Sequence, residues 1–186
     1  FFFFGWFGGM IDSILMKITS FFITIPYLPL VIVLPAFLPK GFISMSLILG
    51  LVSWPEIARI LRSQTMKMRS REYILSIQAM GVSHWYVIRT HVIRELLPLV
   101  TYQLILRIKA SILSEAALSF LGLGEPTVKS WGSMLYYAQA KDAFMTDAWL
   151  WWVIPPGICI AILSFGLMLI GYTIEGNMNP EMEAAI

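Results

Sequence analysis

The chain has 186 residues, 58% of them hydrophobic and 13% charged, with a formal net charge of +2 and a mean hydropathy of +0.77. Soluble domains hold roughly 45–50% apolar and about 25% charged residues, so an ordinary soluble enzyme is excluded, and the same hydrophobicity excludes a disordered chain. The single Cys159 excludes an internal disulfide and a four-cysteine zinc cluster, and so small a net charge predicts no nucleic-acid partner.

The chain opens Phe1-Phe2-Phe3-Phe4, without Met or a basic region, so this opening is not expected to be a signal peptide. These residues read as the end of a hydrophobic helix already under way, and the chain is expected to be a fragment lacking an N-terminal part. Gly5-Trp6-Phe7-Gly8-Gly9 reads as a tight glycine turn with one aromatic anchor. A membrane helix needs about 20 mostly apolar residues, because about 1.5 Å per residue must cover roughly 30 Å of hydrocarbon. Four stretches qualify: about 18–38, 42–61, 96–117 and 149–172. The expected fold is therefore all-α, a polytopic membrane helix bundle with four full spans and the end of another.

The first span holds Pro26, Pro29 and Pro35, each lacking a backbone donor. It is read either as a bent packing helix or as one that flexes or lines a cavity. Pro39-Lys40-Gly41 punctuates the turn to the second span. Glu56 and Arg59, three residues apart near the end of that span, are most simply a salt-linked pair. Residues 62–95 and 118–148 form the two long connections. The first and its edge carry Arg59, Arg62, Lys67, Arg69, Arg71, Arg89 and Arg94. The second carries Lys129 and Lys141 against Glu125, Asp142 and Asp147. Basic residues are retained inside, so 62–95 is expected in the cytoplasm and 118–148 outside it. Trp149, Trp151 and Trp152 then form an aromatic belt at the outer end of the last span.

Within 62–95, Tyr73, Ile77 and Met80, with Ile74 beside them, fall at helical spacing on one face. Gly81 stops that helix by taking the left-handed conformation. Ser83 is placed to cap a second helix that carries Trp85, Ile88 and Val92 on one side. Two short helices therefore meet at a glycine between two spans. Spacing leaves two readings open: a hairpin resting on lipid headgroups, or a knob whose apolar face fills a groove on a cytoplasmic partner.

The run Glu72-Tyr73-Ile74-Leu75-Ser76-Ile77-Gln78-Ala79-Met80-Gly81-Val82-Ser83, followed by Ile88, His91 and Pro98, resembles the EAA loop of ABC importer permeases. Two further runs resemble the C-type permease of dipeptide, oligopeptide and nickel importers. They are Ser114-Glu115-Ala116-Ala117-Leu118-Ser119-Phe120-Leu121-Gly122-Leu123-Gly124 and Ser130-Trp131-Gly132-Ser133-Met134-Leu135. Gly8-Gly9-Met10-Ile11-Asp12, Pro26, Trp152 with Pro155-Pro156-Gly157, and Asn179-Pro180 fit the same subfamily, so the resemblance spans the chain. The acid-Ala-Ala core of the loop reads Leu75-Ser76-Ile77 here, Ser20 stands where members often have an acid, and Arg107 and Lys109 stand where small or apolar residues are usual.

The resemblance implies the type I ABC importer permease fold, with a first helix, an external segment and most of a second helix missing upstream. It implies one half of a heterodimeric permease in the cytoplasmic membrane of a prokaryote, importing peptides or a related small solute. Its implied partners are a second permease subunit, two cytoplasmic ATPase subunits, an extracytoplasmic substrate-binding protein and the lipid bilayer. Tyr73, Ile74, Ile77, Ala79, Met80, Gly81 and Ser83 would couple to an ATPase. The chain has no G-x-x-x-x-G-K-[ST] run to cradle phosphates, so it is expected to be no enzyme and to hold no cofactor, with ATP bound by the partner subunits.

Arg107 and Lys109 lie inside the third span, where a charge costs roughly 2.5–3.5 kcal/mol on insertion scales and must face protein or water. Arg107, Ser111 and Glu115 share a stripe at one-turn spacing. Structural pairing with a partner subunit and a translocation path lined by these three both remain open. Glu115 either caps and pairs locally or touches substrate. His84 and His91, without a nearby acid or thiolate, are not expected to bind metal. Cys159 reads as a packing residue. An ion-gradient-driven secondary transporter would need matching broken helices or an ionisable relay across several spans. A non-transporting scaffold would leave the glycine-hinged pair without a purpose.

Overall fold

The computed structural model describes residues 2–39 and 41–178; Phe1, Lys40 and the Asn179-Pro180 ending lie outside the described residues. Among the described residues every regular element is helical, as expected. Helices α1 (Phe2–Phe7), α2 (Met10–Thr24) and α3 (Tyr27–Val33) come first, followed by a 3₁₀ turn at Leu34–Phe37. The long α4 (Phe42–Arg69) leads to α5 (Glu72–Ala79) and α6 (His84–Val87). A π-helical turn at Ile88–Val92 joins α6 to α7 (Ile93–Phe120). Helix α8 (Trp131–Ala140), a 3₁₀ turn at Ala143–Met145, α9 (Trp149–Trp152) and α10 (Ile154–Met178) complete the order.

The glycine turn near the start is shorter than its composition suggests. Gly5 and Trp6 belong to α1, and only Gly8 and Gly9 take positive φ, at 69° and 94°. Trp6 is 1% exposed, so it anchors a protein core. The stretch expected as one bent span, 18–38, is divided at Ile25-Pro26. Ile25 is extended, with φ −77° and ψ 125°, because the proline ring crowds the helical region of the residue before it. Pro26 then precedes α3, and Pro35 opens the 3₁₀ turn, where a missing N–H goes unpunished.

Phe42–Arg69, His84–Phe120 and Trp149–Gly176 are each long and apolar enough to cross a membrane. Met10–Thr24 with Tyr27–Phe37 makes a fourth if that bent pair is one span. Helix α4 continues well past the expected end at 61. Its last turns carry charge yet bury Thr65 and Met68. In the last span the best window has a mean hydropathy of 2.3 with 6% of it buried inside the chain. Such a surface needs lipid or another chain around it.

The chain forms two compact units. The described residues of Phe1–Ile25, Ser53–Leu104 and Thr173–Ile186 form one. Its core is Trp6, Met68, Ile74, Val87, Ile88, Val92 and Leu96. Polar ties surround that core. Arg62 Nε and Nη2 grip both carboxylate oxygens of Asp12 at 2.6–3.0 Å. Arg69 Nη1 donates to the Trp6 carbonyl at 2.8 Å, and Arg59 Nη2 donates to Ser20 Oγ at 3.3 Å. Pro26–Val52 and Ile105–Tyr172 form the other unit. There Val31, Met45, Leu49 and Leu118 pack together, with Val52 and Leu123 against them.

Candidate functional site

The first unit carries the glycine-hinged pair. Helix α5 ends at a Met80 C-cap, and Gly81 follows with φ 80°. The Gly81 N–H turns back to the Gln78 carbonyl at 3.0 Å, satisfying one of the carbonyls a helix end leaves open. Ser83 has extended backbone, and its Oγ accepts the Tyr86 N–H at 3.3 Å, a side-chain N-cap. Both expected roles, the stop and the cap, are found.

The expected apolar face divides in two. Ile74 is 0% exposed, and Ile77 packs beside it on Val87, Ile88 and Val92. Ile74, Val87, Ile88 and Val92 present nothing to the outside, whereas Ile77 is half-buried. Ala79, Met80, Gly81 and Ser83 are exposed, Met80 at 73%, alongside Leu75, Trp85 and Tyr86. Trp85 therefore separates from Ile88 and Val92, with which its spacing had grouped it. Tyr73 lies at the boundary, its hydroxyl donating to Glu95 Oε2 at 2.5 Å. Arg71 forms an ion pair with the same carboxylate. Burial and then the adjoining carboxylate push the Tyr73 phenol above its ordinary pKa. His91 stands edge-on to both Tyr73 and Tyr86, with ring centroids 6.4 Å apart in each pair.

The second unit brings the two other signature runs together. At the end of α7, Gly122 takes φ 78°. Its N–H bonds the Ser119 carbonyl and the Leu123 N–H bonds the Leu118 carbonyl, both at 3.0 Å. This is a Schellman closure, and Leu123 packs against the cluster that holds Leu118. A capping box between Ser130 and Ser133 starts α8. The same turn holds Gly132, where a Cβ would lie 2.7 Å from Ala116 Cα. Only a residue without a side chain lets α8 approach α7 that closely. Glu125 receives the Phe42 N–H at 3.0 Å and the Thr127 hydroxyl at 2.8 Å, so it caps the first turn of α4. Tyr27 and Ser114 share a hydrogen bond of 2.9 Å.

Between these elements lies a groove of about 610 Å³. Ser111 and Glu115, one turn apart on α7, line it together with Met45, Lys129, Trp131 and Met134. Glu115 Oε1 accepts the Ser119 hydroxyl at 2.6 Å. Arg107, half-buried on the same helix, is outside the groove's lining.

Residues 2–184 match the family described as the binding-protein-dependent transport system inner membrane component. The chain belongs to this family. Permeases of this family include several similar relatives. The oligopeptide transport system permease protein OppC of Bacillus subtilis is 29% identical over 96% of this chain and 57% of its own length. The probable D,D-dipeptide transport system permease protein DdpC of Escherichia coli is 32% identical over 94% and 57%. The dipeptide transport system permease protein DppC of Bacillus subtilis is 30% identical over 96% and 55%. The chain thus spans somewhat over half the length of these curated permeases. The family description and the long apolar helices make this a multi-pass membrane protein.

Sequence reasoning passed over Glu95, Glu125 and the Asp12–Arg62 pair. Each is an ordinary charge whose partner lies far away along the chain. The pairing of Arg71 with an acid in the first turn of the next long helix was the one available hint.

Proposed function

We propose that the chain is a permease subunit of an ATP-driven importer of short peptides, working as half of a heterodimer in the cytoplasmic membrane. Two ATPase subunits and an extracytoplasmic binding protein complete the machine. The observation that carries the reading is the hairpin 72–92. It has a wholly buried inner face, Ile74 with Val87, Ile88 and Val92, and an exposed crest of Leu75, Met80, Trp85 and Tyr86. A fixed base and an exposed apolar crest suit a helix received by a groove. Headgroup contact alone would not require Gly81, the Ser83 cap and the Glu95 anchor to hold one shape.

In this reading Gly81 and Ser83 set the shape, and Met80 and Ala79 meet the ATPase surface. Tyr73 fixes the crest to α7 through Glu95. Ile74 and Ile77 act through packing. The basic residues of 62–95 keep that connection in the cytoplasm, so 118–148 and its groove face outward. Arg107, Ser111 and Glu115 belong to the translocation path, with Ser111 and Glu115 at its groove. Peptides are the proposed cargo because the relatives are named for oligopeptide and dipeptide transport.

The test is uptake of labelled tri-alanine into proteoliposomes carrying the full-length permease with its co-purifying subunits. Uptake is expected only with ATP on the ATPase side and binding protein on the other. Uptake driven by an ion gradient without ATP would overturn the proposal, as would failure of any ATPase to co-purify.

A further inference from the structure

The groove of the second unit holds a feature that fold stability does not call for. Its walls are mainly apolar, Met45, Trp131 and Met134 among them, yet they include one carboxylate, Glu115, and one ammonium, Lys129. Among the described residues these two charges form no ion pair with each other or with any other side chain. Among the described residues Glu115 Oε1 accepts the Ser119 hydroxyl. Glu115 is half-buried beside apolar walls, where a carboxylate and a cationic group attract more strongly than in bulk water.

We propose that this groove is a binding subsite for a short zwitterionic peptide with free ends, taking its α-ammonium at Glu115 and its α-carboxylate at Lys129. The inference rests on the transport reading above and adds the ligand's chemistry and the residues that hold it. Several observations converge. The volume of about 610 Å³ lies within the roughly 300–1,000 Å³ usual for small-ligand sites. A ligand with one charge would leave the other groove charge unanswered, whereas a zwitterion answers both. The remaining wall suits an unspecified side chain. Methionine is unbranched and polarisable and fits varied shapes, and Trp131 offers a flat apolar face. Recognition would then fall on the two ends that every free peptide shares.

The test uses the full-length permease in its purified transporter complex. The probe is Ala-(p-benzoylphenylalanine)-Ala, photolysed and mapped by mass spectrometry. Label is expected on the segments holding Met45 or Met134. Tri-alanine should compete, and N-acetyl-tri-alanine and tri-alanine amide should each compete about tenfold less well, the loss of one charge-assisted contact. Glu115→Gln keeps an oxygen for Ser119 and should abolish only the penalty for acetylation. Lys129→Met should abolish only the penalty for amidation. Because Lys129 is exposed, that variant decides the matter even where Glu115→Gln fails to fold.

Label confined to other segments would overturn the proposal. So would equal competition by the three peptides, or variants that weaken labelling without changing the preference for either end. The two proposals fail separately. Peptide uptake without groove labelling sinks this inference alone. Labelling with the expected end preference, but no ATP-dependent uptake, sinks the transport reading and leaves the subsite standing.

Discussion

Gly81 offers a graded test of the hairpin. Its φ of 80° lies in the left-handed region, and a Cβ built there meets nothing within 4 Å. Substitution therefore costs conformation and not space. For an ordinary L-residue that cost is about 1–2 kcal/mol, a factor of roughly 5–30 in the population of the native hinge. Against it stands the packing of Ile74, Val87, Ile88 and Val92, all at 0% exposure and each stabilising by about 1.5–3 kcal/mol. Gly81→Ala should consequently keep its hairpin and most of its bound ATPase. Gly81→Asn, a bulkier side chain that tolerates the left-handed region better, should equal or exceed it. Gly81→Pro fixes φ near −65° and removes the N–H bonded to Gln78, so the hinge must be rebuilt and the ATPase lost. The assay is co-purification of the ATPase from membranes containing matched amounts of permease. Retention in the order Gly, Asn, Ala, Pro is expected. A ranking by side-chain volume, with Asn well below Ala, would refute the conformational argument, and full retention by Pro would refute the coupling role.

Gly132→Ala drives a methyl into the Ala116 backbone, which has little room to yield, and should cost about 3 kcal/mol. Gly166→Ala meets nothing within 4 Å and should be neutral or slightly stabilising. Thermal unfolding midpoints in detergent should separate the two clearly. Asp12→Leu alone strands the Arg62 guanidinium and should destabilise by about 2 kcal/mol. Adding Arg62→Met should recover part of that loss, and a double-mutant cycle measures how much. Tyr73→Phe removes the hydrogen bond to Glu95, at a cost of about 1 kcal/mol. Because the folded state raises the Tyr73 pKa, its contribution is fully present below the ordinary tyrosine value, about 10. It is lost as pH rises through the raised folded value. Wild type should therefore lose hairpin protection from hydrogen exchange as pH climbs past about 10, and the Phe variant should lack that step.

Much of the architecture was legible because membrane spans are written in long apolar runs. Helix ends were less so. A hydropathy reading of α4 stops where Arg62, Lys67 and Arg69 appear, yet the helix continues, because these residues are good helix formers and Thr65 and Met68 are buried between them. Gly81 and Ser83 were readable because their functions are local. The inward face of α5 was not. In an eight-residue helix the overlapping stripes Ile74–Ile77 and Tyr73–Ile77–Met80 are equally apolar, and the choice depends on Val87, Ile88 and Val92. Gly5 looked like part of a turn but lies within α1, where Arg62 passes close enough to crowd a methyl. Glu115 was readable as a candidate from its place in the stripe. Lys129 was not, since only the return of the chain through Gly122–Ser130 brings it to the same groove.

The longest helical run keeps its irregular turns at one end. His84–Phe120 runs for 37 residues. Its irregular turns lie in its first part, where the π-helical Ile88–Val92 and Pro98 interrupt the regular bonding. From Leu99 to Phe120 it is regular α-helix with neither glycine nor proline. Compliance is thus concentrated beside the hairpin, and the remainder is stiff.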